Sequence, residues 1–119
     1  MYEALEQIAL NEFGDIVHSA QHLGRRAETA LKLRLNLRDE TFVDIWLNLE
    51  SRKYSYHWEQ RAKRGLIHRH DNAPDHPEIS THPKHFHNGS ESQVEESRIP
   101  DDPTEALRFF LEFVRAQLN

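Results

Sequence analysis

The stretch Leu31-Lys32-Leu33-Arg34-Leu35-Asn36-Leu37-Arg38-Asp39-Glu40-Thr41-Phe42-Val43-Asp44-Ile45-Trp46-Leu47-Asn48-Leu49 decides the fold. Leu31, Leu33, Leu35 and Leu37 alternate with Lys32, Arg34, Asn36 and Arg38. After the polar connection Arg38-Asp39-Glu40, alternation resumes at Val43, Ile45, Leu47 and Leu49. A period of two sends every second side chain to the same face of an extended chain, so each run predicts a half-buried strand and the pair an antiparallel hairpin. Downstream, Ser51-Arg52 turns into Lys53–Glu59, where Tyr54, Tyr56 and Trp58 share one face and Ser55 and His57 the other. Three aromatics at period two read as a core face rather than a base-stacking platform, which leaves His57 on the side where a site would lie. The basic turn Arg61-Ala62-Lys63-Arg64-Gly65 then leads into Leu66–His70. Upstream, Ile16–Leu23 is compatible with another strand, and Tyr2–Asn11 predicts a short helix ended by Gly14.

Beyond Asp71 the pattern dissolves. All five prolines lie at 74, 77, 83, 100 and 103, and apolar residues nearly vanish until the last of them. This predicts a long irregular loop of about thirty residues, Asp71–Pro103, of a length that compact domains keep mainly for function or as disorder. Its first part, Asp71–Gly89, is dense in His, Pro and Asn, while Ser90–Ser97 has the Ser/Glu composition of a mobile segment. Asp102-Pro103-Thr104-Glu105 is a helix start, with Asp102 as N-cap and Pro103 at the first helical position. Leu107, Phe110, Leu111, Val114 and Leu118 form the apolar stripe of the helix that follows. The expectation is one α+β domain over residues 1–119. It is an antiparallel meander of four to five strands with N- and C-terminal helices packed on one face, plus the His/Pro-rich loop.

Composition narrows the function. The 119 residues are 37% hydrophobic and 29% charged, with no cysteine and a formal net charge of −5. Disulfides, thiolate zinc sites and a cysteine nucleophile are thereby excluded, and a cytoplasmic location is the expectation. No run approaches the roughly 20 apolar residues of a membrane span, so no membrane association is expected. Charge is segregated: residues 1–24 carry four acids and no Lys or Arg, residues 25–69 carry eleven basic against six acidic residues, and residues 70–119 four against ten. A basic middle can meet a polyanion locally in an acidic protein, although a solvated Lys/Arg-rich sheet face has the same composition. Exposed sheet edges also allow a homodimer.

Histidine is the residue out of proportion. Seven of nine lie between His57 and His87. Three readings of His68, His70, Asp71, Asn72, His76, His82, His85 and His87 compete. In the first they are acid/base groups acting on a phosphodiester. RNA carries its own 2′-hydroxyl nucleophile, so cleavage needs a base, an acid and a cation for the phosphorane, with no metal. In the second, His68 and His70, two apart on a strand, and His85 and His87 at the same spacing bind a transition metal ion, with Asp71 able to join them. In the third, imidazoles and prolines merely organise a loop. His18 and His22 read as ordinary strand residues.

Tyr54-Ser55-Tyr56-His57-Trp58, Asp71-Asn72-Ala73-Pro74-Asp75-His76-Pro77 and Pro83-Lys84-His85-Phe86-His87 carry a family resemblance. The pattern of a Y-x-[YF]-H strand, a D-N-A-P-H-H turn and a P-H-H-x-H segment before a C-terminal helix resembles the TumE-type toxins of toxin–antitoxin loci, over about residues 2–118. Asp75 and Lys84 stand where that pattern has histidine, and His70 where it has an aromatic. The resemblance implies a growth-inhibiting toxin, with nuclease action expected, neutralised by a cognate antitoxin.

Together these readings favour a toxin-like ribonuclease or nucleotide phosphodiesterase acting without a cofactor. Asp71, His76, His85 and His87 are its catalytic candidates, with Asp71 orienting one imidazole, and His57, Arg69 and Lys84 bind RNA or a nucleotide. The alternatives are a metal-dependent hydrolase built on the same loop (His68, His70, His85, His87) and a non-catalytic module that binds its antitoxin.

Overall fold

The computed structural model describes residues 1–24 and 32–119. Leu31, the first of the alternating leucines, and Arg25 and Arg26 of the basic middle lie outside the described residues. The order is α1 (Tyr2–Glu12), β1 (Val17–Leu23), β2 (Lys32–Leu37), β3 (Phe42–Asn48), β4 (Lys53–Gln60), α2 (Arg61–Arg64), β5 (Leu66–Asp71), β6 (His85–Gly89), β7 (Val94–Glu96) and α3 (Pro103–Leu118). The strands form one seven-stranded sheet in the order β1-β2-β3-β4-β5-β6-β7, each antiparallel to its neighbour. The class is α+β, as expected.

The β2–β3 hairpin is in the register that alternation dictates, with Leu33 opposite Ile45 and Leu35 opposite Val43, all fully buried. Asp39 shapes its turn by accepting from the Thr41 amide at 3.1 Å and hydroxyl at 2.6 Å. That hydroxyl in turn accepts from the indole N–H of Trp58 at 2.9 Å, so the turn is fastened to the core of β4.

One face of the sheet is covered by both terminal helices. Asp102 caps α3 by accepting from the Glu105 amide at 3.1 Å, and Pro103 occupies the first turn. The stripe Leu107, Phe110, Leu111 and Val114 is wholly removed from water against Tyr56 and Trp58 of β4 and Leu5 and Ala9 of α1. Each large side chain of that stripe contributes about 1.5–3 kcal/mol of burial. Truncating Phe110 would cost about 3–5 kcal/mol.

The opposite face carries the other residue of each pair. In register across it run Arg34, Asp44, His57, Arg69 and His87, and beside them Lys32, Trp46, Ser55, Asp71 and His85. Its cations are largely matched by acids: Arg34 pairs with Asp44 at 2.8 Å and Arg61 with Glu59 at 2.7 Å.

Two expectations are corrected. The sheet has seven strands, and the predicted thirty-residue loop contains β6 and β7. Ser97, at the end of the segment expected to be mobile, is fully buried. The cause is chemical. In β6 Phe86 is the only buried residue on the helix-covered face, while His85 and His87, also buried, lie on the other face beside Asp71, so hydrophobic alternation is absent. β7 is only three residues long and is held by pairing to β6. The irregular chain that remains before β6 is 72–84.

Candidate functional site

Strand register builds the site. β5 and β6 pair with Asp71 opposite His85, Arg69 opposite His87 and His70 opposite Phe86. Directly opposed residues share a face, so His85 and His87 join Arg69 and Asp71 on the open side, while His70 turns under α3 with Phe86. The loop 72–84 then folds back over β6. Asp71 Oδ1 accepts from the Ala73 amide at 3.0 Å, and the Asn72 side chain accepts from the Tyr54 amide at 3.0 Å and donates to the Arg52 carbonyl at 2.9 Å. Thr81 donates to the Lys84 carbonyl at 2.7 Å and accepts from the Ser97 amide at 3.0 Å, tying the loop's end to the chain after β7. Between these anchors His76 is set with its ring 4.6 Å from that of His85 and 5.7 Å from that of His87.

The contacts within the cluster fix the protons. His85 Nδ1 lies 3.0 Å from the Pro83 carbonyl and His87 Nδ1 3.0 Å from the Glu91 carbonyl. A carbonyl only accepts, so both Nδ1 atoms carry hydrogen, and in the neutral rings both Nε2 atoms present lone pairs. Those two Nε2 atoms are 3.1 Å apart. Asp71 adds Oδ1 at 3.1 Å from His85 Nε2 and Oδ2 at 3.6 Å from His87 Nε2. His76 follows the same rule, its Nδ1 facing Glu78 at 3.3 Å. Burial is nearly complete for His85, at 1% exposure. Burial first, and then the Arg69 charge, pushes the His87 pKa below the usual imidazole value.

Arg69 is held beside this group. Its Nε donates to Asp71 Oδ2 at 3.0 Å, and its Nη1 donates to Glu91 Oε2 at 3.1 Å and to His57 Nδ1 at 3.2 Å. His57 therefore holds its hydrogen on Nε2, which donates to Glu59 at 3.0 Å. Burial lowers its pKa. Above the group opens a cleft of about 460 Å³ whose lining includes Trp46, Lys53, Arg69, Asp71, His76 and His87. A second cleft of about 420 Å³ continues along the sheet and shares Trp46, Ser55 and Arg69 with the first.

Asp71, His76, His85, His87, Arg69 and His57 thus come together. Lys84 does not: its ammonium donates to the Ile99 carbonyl at 2.7 Å and faces Asp101 at 3.3 Å. His82 is exposed on the other side of the loop, lining a larger cavity with Tyr54 and Lys84. His68 and His70 are separated from His85 and His87 by the sheet itself. His68 packs on Trp58 and Phe113, with ring centroids 5.4 and 5.2 Å away, and His70 stacks on Phe86 at 4.2 Å and meets Ser97 at 2.7 Å. Burial pushes the His70 pKa down to about 3, so it is a neutral core residue. The four-histidine metal set expected from H-x-H spacing therefore does not converge.

Trp46 and Glu91 belong to the site and escape a reading of the core alone. Trp46 sits at the outward phase of an otherwise clear strand, which is the signal that marks it. Glu91 lies in a Ser/Glu-rich run that offers none.

The chain matches the family described as Toxin TumE over residues 7–118. No curated protein and no solved structure matches it. No helix among the described residues is long and apolar enough to cross a membrane.

Proposed function

Starting from the chain's membership of the toxin TumE family, we propose that this toxin acts by cleaving a phosphodiester, in RNA or a nucleotide, at the cluster of Asp71, His76, His85 and His87. The observation that carries this reading is the convergence of three imidazoles and a carboxylate beside a guanidinium at the base of an open cleft. Phosphodiester cleavage needs a proton taken from the attacking hydroxyl, a proton given to the leaving oxygen and positive charge beside the phosphorane.

Arg69 supplies the charge. Its carboxylate partner Glu91 is half exposed, and a substrate phosphate would take that carboxylate's place on the guanidinium. His57, bonded to Arg69 and to Glu59, holds the guanidinium in line. Lys84 has no part in it, being spent on the Ile99 carbonyl. Proton handling falls to the imidazoles, but not with His85 as acid and His87 as base across the phosphate. Two groups bracketing a phosphate by hydrogen bonds of about 2.6–3.2 Å each need roughly 5 Å or more between them. These two are 3.1 Å apart and act as one unit with Asp71. The cognate antitoxin of such a toxin would neutralise it by covering the cleft.

The test is incubation of the purified chain with end-labelled RNA and with dinucleotides, followed by analysis of the product ends. Cleavage giving 2′,3′-cyclic phosphates or free 3′-phosphates, lost in His87→Ala, is the expected result. Intact substrate under all conditions, with a folded and toxic protein, would overturn the reading.

A further inference from the structure

The unit formed by His85, His87 and Asp71 has an electrostatic problem that its geometry states plainly. Two nitrogen lone pairs and a carboxylate oxygen meet with 3.1 Å edges and, in the neutral rings, no hydrogen between them. Neutral His85 and His87 cannot donate there, because each ring has placed its one hydrogen on a main-chain carbonyl through Nδ1. Three acceptors pressed together in a buried place repel unless a cation lies among them. The cation is a proton or a metal ion.

A proton accounts for part of the arrangement only. One proton on one Nε2 would join His85 to His87 or to Asp71, and would leave no task for the third imidazole. Yet His76 is carried back by a 13-residue loop until one ring nitrogen from each of His76, His85 and His87 lies within 4.8 Å of the other two. It is also oriented as they are, with Nδ1 directed at an acceptor, the Glu78 carboxylate. Imidazoles that bind metal through one nitrogen characteristically donate from the other to a carbonyl or carboxylate, which fixes the ring and raises its basicity. All three rings carry that device. Two edges already have the size of a metal site, and His76, whose ring nitrogen lies within 4.8 Å, would close in with its loop: ligands at 2.0–2.1 Å around a tetrahedral zinc stand about 3.3 Å from one another. The His85–His87 and His85–Asp71 separations, both 3.1 Å, are close to that edge.

We infer that His76, His85 and His87 bind a divalent transition metal ion of the zinc class, with Asp71 beside it as the charge-balancing carboxylate. The donor set is three borderline imidazole nitrogens and one hard oxygen with no thiolate, which suits Zn²⁺, Co²⁺, Ni²⁺ or Fe²⁺ and disfavours Mg²⁺ and Ca²⁺. His85 and His87 come from a paired strand and are rigid, whereas His76 comes from the loop and is only partly buried. The ion would therefore also clamp loop 72–84 onto β6. The site differs from the one that spacing alone suggests, since His68 and His70 have no place in it. It stands independently of the substrate, but it bears on the proposed cleavage: with their free lone pairs on the ion, His76, His85 and His87 would hold the metal rather than carry protons, and the ion would supply the Lewis acidity and the activated water instead.

The experiment uses the full chain stripped with a chelator and dialysed, then titrated with Zn²⁺ by calorimetry and with Co²⁺ by visible absorption. One ion per chain, and the intense d–d bands of low-coordinate cobalt, are expected. His76→Ala removes a loop residue that the fold does not need, so its affinity should fall by more than about 100-fold, beyond the loss caused by a supporting residue, while circular dichroism is unchanged. His87→Ala should lose binding as well, and His70→Gln should keep it. Absence of saturable binding, or wild-type affinity in folded His76→Ala, overturns the inference. Cleavage at full rate by chelator-stripped protein overturns it too, while leaving the cleavage reading intact. Tight binding without any cleavage does the reverse.

Discussion

Two H-x-H sequences stand 17 residues apart, His68-Arg69-His70 on β5 and His85-Phe86-His87 on β6, and they have opposite fates. The first pair lies beneath α3 in a wall of aromatic rings. The second lies on the open face against Asp71. Register makes the difference: Arg69 faces His87 and Asp71 faces His85, so the histidines of one strand align with the non-histidines of the other. Tautomers differ as well. Arg64 donates to Gln60 Oε1 at 3.2 Å, which turns the Gln60 amide nitrogen toward His68 Nδ1 at 2.7 Å, so His68 carries its hydrogen on Nε2. His85 and His87 carry theirs on Nδ1. The same dipeptide spacing thus supplies polar core in one place and convergent lone pairs in the other.

The comparison breaks most visibly by truncation on the open face. His85→Ala and His87→Ala should each lower the proposed cleavage at least about 100-fold, because each removes a nitrogen donor from the cluster, and even a supporting residue of a metal site is worth about 10–100-fold. Rates near wild type in folded variants would end that assignment. On the covered face the loss should appear in stability instead. His70→Ala leaves a hole against Phe86 and removes the Ser97 hydroxyl's imidazole partner, costing about 2 kcal/mol or more in denaturant unfolding. Cleavage per folded molecule should not change.

Acid sharpens the contrast further. His70 has its native pKa depressed to about 3, and burial also lowers that of His68, while the unfolded chain protonates near 6.5. Protons then bind the unfolded state preferentially, so stability is full above pH 6.5 and falls as pH drops toward 3. Between pH 6.5 and 4.5, where carboxylates remain ionised, His70→Gln should flatten this decline by up to about 1.4 kcal/mol per pH unit. An unchanged slope would mean that His70 is not buried neutral. The smallest effect is expected at Glu91. Glu91→Gln frees the Arg69 guanidinium of an exposed ion pair, and should tighten substrate binding by roughly 1.4- to 5-fold.

Much of this was legible in residue order. Alternation in 31–49 and the aromatics of 53–59 foretell the central strands, Asp102-Pro103 foretells the start of α3, and the crowd of histidines points to the candidate site. Period two shows that His68 and His70 share a face, and that His85 and His87 share one, but not which faces. That depends on the pairing that loop 72–84 permits. β6 is hidden because Phe86 is its one apolar residue and the buried positions on either side of it are imidazoles. Lys84 reads as a phosphate ligand by proximity in sequence, but its ammonium is taken by the Ile99 carbonyl and Asp101, which no local pattern announces.

The most direct test is long-range nitrogen–proton NMR of the histidine rings during a Zn²⁺ titration. The expected spectrum has His85 and His87 hydrogenated on Nδ1 with Nε2 signals that move on adding zinc, while His68, hydrogenated on Nε2, and His70 stay still. Signals of His68 or His70 that move, or Nε2 signals of His85 and His87 that do not, would contradict the account.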